Sequence, residues 1–255
     1  MSQQQQHLPI LVSLEGNIGA GKSTLLDELE RRLSREHATH EQKRGQWLFL
    51  KEPVHIWNTI KSPDGETLLS KFYADPAKYA FAFQIMAFTT RFSELQRMIR
   101  SMPADCPGII CERSLDADKH IFAKMLHADG LIEDVLYDVY SRYFAQYQNV
   151  DGIDLSLKGV VYVDADPATC FDRIKQRSRD GEAGIALDYL EKCRDYHETW
   201  LTSASSSTGP GPGPGPSVLH LKTNAVATFD PLDPNDAGNK WTGQIIDFLD
   251  NLRKG

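Results

Sequence analysis

A glycine-rich segment near the N-terminus has the residues and spacing of a phosphate-binding loop. Residues 16–23 read GNIGAGKS, which fits the spacing G-x-x-x-x-G-K-[ST]. Glycines let successive backbone N–H groups point at one anion, Lys22 can reach the β- and γ-phosphates, and Ser23 can hold Mg²⁺. The apolar run at residues 10–14 predicts a strand before the segment, and an amphipathic stretch predicts a helix after it. The sequence therefore predicts a nucleoside triphosphate site.

Charged side chains follow two further predicted strands, at the point where each strand ends. Glu52 comes after the apolar run 47–50, and Glu112 and Arg113 come after the run 107–111. In open α/β sheets, ligands bind at the carboxyl ends of the strands. We therefore expect these three side chains to lie beside the phosphate-binding loop.

A long amphipathic helix is predicted from residue 75 to about residue 101. Its regular apolar stripe is typical of a packed helix or of a helix–helix dimer seam. Gln84, Ala87 and Arg91 lie at positions i, i+3 and i+7, on a face that flanks the stripe. Polar residues on such a face need a partner, so we expect them to point at a ligand or at a neighbouring element.

The composition narrows the class of partner. The 255 residues include 28 Lys and Arg against 35 Asp and Glu, a net charge of −7, so we expect a small-molecule ligand and no nucleic-acid polymer. No apolar run approaches the roughly 20 residues that cross a bilayer, so no membrane partner is expected. The four cysteines form no C-x-x-C pair. Reduced thiols and a cytoplasmic location are the favoured interpretation.

The chain is expected to form one α/β domain with a short tail. Residues 1–8 are polar, lack the apolar core of a signal peptide, and are predicted to be a disordered tail. Residues 9–255 are predicted to be a single domain. Within this domain, residues 203–217 contain serines followed by alternating Gly and Pro. This composition predicts a surface loop that is neither helix nor central strand.

Five segments match a known family in order and approximate spacing. They are residues 16–24, residues 52–54 with Trp57, residues 81–84, residues 112–114, and the pattern R-x-R-x-x-E at residues 177–182. On these segments the chain resembles the deoxynucleoside kinases, most of all the deoxycytidine and deoxyguanosine kinases. The resemblance implies a three-layer P-loop kinase fold, an α/β fold with a five-stranded parallel sheet flanked by helices. It also implies ATP or another nucleoside triphosphate as phosphate donor, Mg²⁺, a small deoxynucleoside acceptor, nucleotide salvage, and a homodimer through long helices.

The resemblance implies catalytic and donor-binding roles. Glu52 resembles the general base that takes the proton of the sugar 5′-hydroxyl, and Arg113 resembles the arginine that neutralises phosphate charge and holds the base. Glu112 is similar to the acidic residue near Mg²⁺, where Ser23 would also bind. With Lys22, Glu52 and Arg113 form the implied catalytic set. The residues implied in donor binding belong to the phosphate-binding loop and to an arginine lid: Gly16, Asn17, Gly19, Ala20, Gly21, Lys22, Ser23, Thr24, Arg173, Arg177 and Arg179.

The resemblance also implies an acceptor pocket. Gln84 is similar to the amide that pairs with the base edge, because an amide offers a donor and an acceptor side by side. Tyr73 and Glu182 match positions that bind the sugar 3′-hydroxyl. The residues implied in acceptor binding are Glu52, Trp57, Leu69, Tyr73, Phe83, Gln84, Ala87, Arg91, Arg113, Asp118, Phe122 and Glu182.

Three of these residues bear on the choice of base. Ala87, Arg91 and Asp118 match the set found in the deoxycytidine and purine deoxynucleoside kinases. Thymidine-preferring relatives carry other residues there, because a charged Arg–Asp pair crowds the space that a thymine methyl group needs. The resemblance therefore implies deoxycytidine or purine deoxynucleosides as acceptors, without ranking them, and thymidine as a poor one.

Three other functions could use the same phosphate-binding loop. A nucleoside monophosphate kinase of the thymidylate type normally continues the counterpart of residues 51–54 with glycines, which this chain lacks. A non-catalytic nucleotide-binding switch would carry N-K-x-D for guanine, whereas residues 239–242 read NKWT. A non-catalytic scaffold would not need Glu52 or the lid arginines. These alternatives stay open at the level of sequence.

Overall fold

A five-stranded parallel sheet forms the centre of the computed structural model, which describes residues 9–39, 45–147, 154–177, 179, 181–206 and 215–254. Strand β1 lies between β3 and β4, with Leu14 opposite Glu112 and Gly16 opposite Val163. The phosphate-binding loop therefore leaves the middle of the sheet. The order across the sheet is β2-β3-β1-β4-β5. The strands are β1 (Ile10–Gly16), β2 (Leu48–Leu50), β3 (Gly108–Glu112), β4 (Gly159–Asp164) and β5 (Ser217–Lys222).

Helices cover both faces of this sheet. One face packs against α1 (Lys22–Thr39), α8 (Pro167–Arg177) and α10 (Ala237–Leu252). The other packs against α4 (Pro76–Arg100) and α9 (Leu187–Ser206). The predicted three-layer α/β fold with a five-stranded parallel sheet is confirmed. The other helices of the described residues are α2 (Val54–Trp57), α3 (Leu68–Ala74), α5 (Leu115–Ala117), a π-helical segment (Asp118–Ala123), α6 (Lys124–Ala128), α7 (Asp134–Tyr147) and a 3₁₀ turn (Glu182–Gly184).

Helix α4 begins where the sequence predicts and buries most of its stripe inside the domain. The Asp75 carboxylate accepts a hydrogen bond from the Lys78 backbone N–H at 3.3 Å, which caps the helix. Phe88 packs against Tyr140 and Phe144 of α7. Since this contact lies within one chain, much of the stripe is core. The remaining face of α4 carries Gln84, Ala87 and Arg91 to the carboxyl edge of the sheet.

The structure differs from the sequence-based expectation at the end of α9. Helix α9 continues to Ser206, so the prediction of a non-helical loop beginning at residue 203 was wrong for residues 203–206. Extending a formed helix costs little per residue, even through serine. The helix predicted after the phosphate-binding loop is present as α1 and extends to Thr39. The predicted tail at residues 1–8 and the Gly-Pro residues 207–214 lie outside the described residues.

Within the described ranges, no helix combines the length and the apolar character that crossing a bilayer requires.

Candidate active site

A cavity of about 540 Å³ opens at the carboxyl ends of β1, β2 and β3. It lies where open α/β sheets bind ligands. All the site residues predicted from sequence line this cavity except Gly16, Asn17 and Ala20. Those three belong to the phosphate-binding loop but do not line the cavity. The segments that are far apart in sequence are thus brought together around one space.

The phosphate-binding loop begins with a backbone conformation that only glycine adopts readily. Gly16 has φ of 146°, and a Cβ atom there would lie 2.3 Å from the Val163 carbonyl oxygen. The Lys22 ammonium donates to the carbonyl oxygens of Gly16 at 3.0 Å and Asn17 at 2.8 Å, so the side chain folds over its own loop. Burial, aided by the Arg113 charge, lowers the pKa of Lys22 to about 8. A cation is therefore held at the centre of the loop.

Two oxygen ligands meet at the start of α1. The Ser23 hydroxyl donates to the Glu112 carboxylate at 2.6 Å, which joins the first turn of α1 to the end of β3. Hydroxyl and carboxylate oxygens are ligands that Mg²⁺ accepts. Mg²⁺ in phosphate-transfer sites usually takes one or two protein ligands and completes its shell with phosphates and water. Ser23 and Glu112 are therefore the two residues here that could hold it.

Glu52 lies between two guanidinium groups. Its Oε1 accepts hydrogen bonds from Arg91 Nη2 at 3.2 Å and from Arg113 Nε at 3.3 Å. Burial alone would raise the pKa of Glu52, but the two guanidinium groups and the Lys22 ammonium outweigh burial and lower that pKa to about 2. The carboxylate is therefore ionised at neutral pH and directed into the cavity.

Arg113 reaches this position through an uncommon backbone conformation. Its φ is 67°, in the left-handed region that non-glycine residues occupy at a cost of about 1–3 kcal/mol. The guanidinium donates to the Gly16 carbonyl oxygen at 3.3 Å and lies 4.4 Å from the centre of the Phe122 ring. Such strained residues cluster at active sites. The bend turns the side chain back toward Glu52 and the phosphate-binding loop.

Arg91 joins α4 to three other parts of the site. Its Nε and Nη2 donate to the two oxygens of Asp118 at 2.9 and 3.3 Å, and both side chains are only 3% exposed. A third nitrogen, Nη1, donates to the Glu112 carbonyl oxygen at 3.1 Å. Asp118 begins the π-helical segment, a feature frequently found at functional sites. Arg91 and Asp118, predicted as a pair, do form one.

The apolar end of the cavity is built from stacked and edge-on rings. Phe83 stacks on Phe72 at 4.7 Å between ring centres and meets Trp57 edge-on at 5.4 Å. Gln84 is 2% exposed, and its Oε1 has no hydrogen-bond partner among the described residues. An unpaired buried acceptor is costly, so this amide is suited to a ligand donor. A flat polar ring would fit between these walls.

The arginines at the end of α8 divide into two groups. Arg177 Nε donates to the Glu182 carboxylate at 2.8 Å, and Arg179 approaches the same carboxylate at 3.5 Å. Arg173 instead donates to the carbonyl oxygens of Ala20 at 3.2 Å and Thr223 at 2.8 Å. It thereby links the phosphate-binding loop to the segment after β5. All three line the cavity, as predicted.

Several cavity residues were not identified from sequence. Phe72 and Tyr189 are aromatic residues on helices, which are ordinarily core, so their pattern gives no signal of a site. Thr90 does not line the cavity, but it accepts a hydrogen bond from the indole of the lining residue Trp57 at 2.9 Å, a contact that only the fold reveals. The lining residues missed from sequence are Ile18, Val54, Phe72, Gln176 and Tyr189.

Comparison with known proteins agrees with this geometry. The family model described as deoxynucleoside kinase matches residues 12–231. A probable deoxycytidine kinase of fowlpox virus is 30% identical over 244 residues, covering 94% of this chain and 88% of the viral protein. Human deoxycytidine kinase is 30% identical over 255 residues, with 94% and 91% of the two chains covered. The mitochondrial deoxyguanosine kinase of Xenopus laevis is 30% identical over 258 residues, with 94% and 90% covered. The chain belongs to the deoxynucleoside kinase family.

Proposed function

We propose that this deoxynucleoside kinase transfers the γ-phosphate of ATP to the 5′-hydroxyl of deoxycytidine or of a purine deoxynucleoside, and uses thymidine poorly. The observation that carries the proposal is the buried Arg91–Asp118 pair beside the unpaired amide of Gln84. The pair brings charge to the base-binding end, and a methyl group placed beside that charge would be disfavoured. An exocyclic amino group on the base can donate to the Gln84 oxygen.

We propose that Glu52 binds the 5′-hydroxyl and accepts its proton. Its carboxylate is ionised, faces the cavity and is fixed by two guanidinium groups. Phosphoryl transfer passes through a loose transition state in which positioning and charge stabilisation supply most of the catalysis. A fixed carboxylate of low pKa is suited to aligning the hydroxyl and to receiving the proton as the new P–O bond forms.

We propose that the donor phosphates lie over the loop between Lys22 and the lid arginines. Lys22, Arg113, Arg177 and Arg179 all line the cavity and supply positive charge to it. Ser23 and Glu112 would hold Mg²⁺, which when bound neutralises charge on the donor phosphates. Tyr73 and Glu182 also line the cavity, and we propose that they bind the sugar 3′-hydroxyl.

We also propose a homodimer and a cytoplasmic location. Val135 and Val139 of α7 are 70% and 48% exposed and lie four residues apart, so they share one helix face. An exposed apolar face on a long helix suits contact with a second copy of the chain. The four cysteines are free thiols, which suits a reducing compartment.

A direct assay tests the proposed function. The protein is incubated with Mg²⁺ and ATP, with the four deoxynucleosides and separately with their monophosphates, and each phosphorylated product is measured. We expect monophosphates from deoxycytidine or from a purine deoxynucleoside. Thymidine as the best substrate by kcat/KM would overturn the role of Arg91 and Asp118. Product from monophosphates alone would indicate a nucleotide kinase, and hydrolysis without either acceptor would indicate a switch.

A further inference from the structure

Glu15 is a buried carboxyl group that the proposed mechanism does not use. It is the second-last residue of β1, directly before Gly16, and is 0% exposed. Its side chain faces the end of β3. Its Oε1 accepts a hydrogen bond from the Ser114 backbone N–H at 2.8 Å, while its Oε2 has no partner among the described residues. Burying a carboxyl group costs free energy, and a leucine would pack there without that cost. Its presence therefore needs a reason.

The contact lies next to the strained residue of the site. The Arg113 backbone N–H donates to the Leu14 carbonyl oxygen at 3.0 Å, and the next N–H along the chain, that of Ser114, donates to Glu15. These two bonds fix the peptide planes on either side of the Arg113 Cα. Since φ and ψ of a residue are set by those two planes, strand β1 holds Arg113 at its φ of 67°.

We propose that Glu15 is a positioning residue that acts through Arg113: its carboxyl group anchors the Ser114 N–H, keeps Arg113 in the left-handed conformation, and so holds the guanidinium against Glu52. Burial raises the pKa of Glu15, and the nearby Arg113 charge opposes that rise. Either protonation state has an oxygen that accepts from Ser114. The expected effect of Glu15 on turnover rests on the proposed function, whereas its expected effect on the conformation of Arg113 rests on geometry alone.

Steady-state kinetics of three variants separate this role from simple core packing. Glu15→Gln keeps an acceptor oxygen and is expected to stay within about threefold of wild-type kcat. Glu15→Leu removes the acceptor and is expected to lower kcat about 10- to 100-fold, with KM for the deoxynucleoside changed less than about threefold. Thr242→Val is the control, because it removes a fully buried hydroxyl group of α10 that does not line the cavity, and its kcat is expected to be unchanged.

A double-mutant cycle tests whether the effect passes through Arg113. Added to Arg113→Gln, the Glu15→Leu change is expected to lower kcat by less than about threefold more, because the residue it positions is already gone. Full multiplication of the two effects, or wild-type kcat in Glu15→Leu, would overturn the proposal. If circular dichroism shows that Glu15→Leu does not fold, Glu15→Asp replaces it in the cycle. Its carboxyl group is one methylene too short to reach Ser114.

A crystal structure of the same variant gives a readout that does not depend on activity. We expect Arg113 to leave the left-handed region and its guanidinium to leave Glu52. A variant structure that keeps Arg113 in place would overturn the positioning role. If the wild-type chain phosphorylates no deoxynucleoside, the proposed function fails, and this structure still decides the role of Glu15.

Discussion

The environment of Glu52 decides how this carboxylate can act. Two guanidinium groups donate to one carboxylate oxygen, Oε1, and leave the other oxygen for a ligand. With a pKa of about 2, the group is ionised at any physiological pH and has little intrinsic basicity. In the proposed reaction, we therefore expect Glu52 to contribute chiefly by aligning the hydroxyl and to take its proton only as the new P–O bond forms.

Replacing Glu52 by glutamine should separate binding from turnover. Glu52→Gln keeps the size and one acceptor oxygen but loses the charge and the ability to take a proton. We expect kcat to fall roughly 10²- to 10⁴-fold while the Kd of the deoxynucleoside changes little. Equilibrium binding and steady-state kinetics measure the two quantities. Glu66→Gln, in a side chain 60% exposed, is the control, and near-normal turnover of Glu52→Gln would remove Glu52 as the base.

Deprotonation of Lys22 should make the activity of the enzyme fall at alkaline pH. Its pKa is lowered to about 8, so the ammonium is present below that pH and is lost as the pH rises through it. We expect kcat/KM for ATP to fall above about pH 8, and kcat at saturating ATP to persist to higher pH, because bound phosphates favour the charged lysine.

A variant with a permanent positive charge at residue 22 tests whether Lys22 causes this fall in kcat/KM. Lys22→Arg keeps a cation that does not titrate in this range. Whatever its absolute rate, its kcat/KM profile for ATP should lack the fall near pH 8. The same fall in Lys22→Arg would show that another group causes it.

A buried ion pair between Arg91 and Asp118 joins α4 to the π-helical segment. Arg91 lies in the middle of α4, and Asp118 opens the π-helical segment after β3. Since this pair crosses between elements distant in sequence, it holds two walls of the cavity together. A π-helical turn adds one residue to the helix, which reorients the side chains around Asp118.

Removing Asp118 should destabilise the fold as well as the site. Asp118→Ala leaves Arg91 buried with only part of its charge compensated, and the expected loss is about 3–5 kcal/mol in the free energy of unfolding. Chemical denaturation measures it. Glu94→Ala is the matched control, because it breaks an Arg–Glu pair on the solvent side of the same helix and should barely change stability. Equal losses for the two variants would contradict the structural role of the buried pair.

The exposed apolar face of α7, formed by Val135 and Val139, should mediate association of the whole molecule with a second copy. Val135→Lys with Val139→Lys would place two charges on that face, and we expect the double variant to be monomeric where the wild type is dimeric. Light scattering after size-exclusion chromatography measures the mass. Leu232→Lys, at a side chain 89% exposed in the loop before α10, is the control and should stay dimeric. A monomeric wild type would contradict the dimer itself.

The alternation of strands and helices and most of the site could be predicted from sequence, because loop glycines, strand-end charges and helix caps are local signals. Arg91 and Asp118 were predicted through resemblance to a family, and their pairing needs the fold. The left-handed backbone of Arg113 could not be predicted, since non-glycine residues rarely adopt it. Short helices α2 and α3 have too few residues for a periodic pattern. Tyr189 gives no signal of a site, because an aromatic residue on a helix is ordinarily core.

The shared guanidinium of Arg91 has a consequence for how substrate choice can evolve. One side chain pairs with both Asp118 and Glu52. Under the proposed roles, replacing Arg91 to admit a bulkier base would also remove one of the two guanidinium groups that hold Glu52. We therefore expect such a change in base preference to lower the rate of phosphoryl transfer, and a second change near Glu52 to be needed to restore it. Base preference and turnover would then evolve together, through variants that are slower than the starting enzyme.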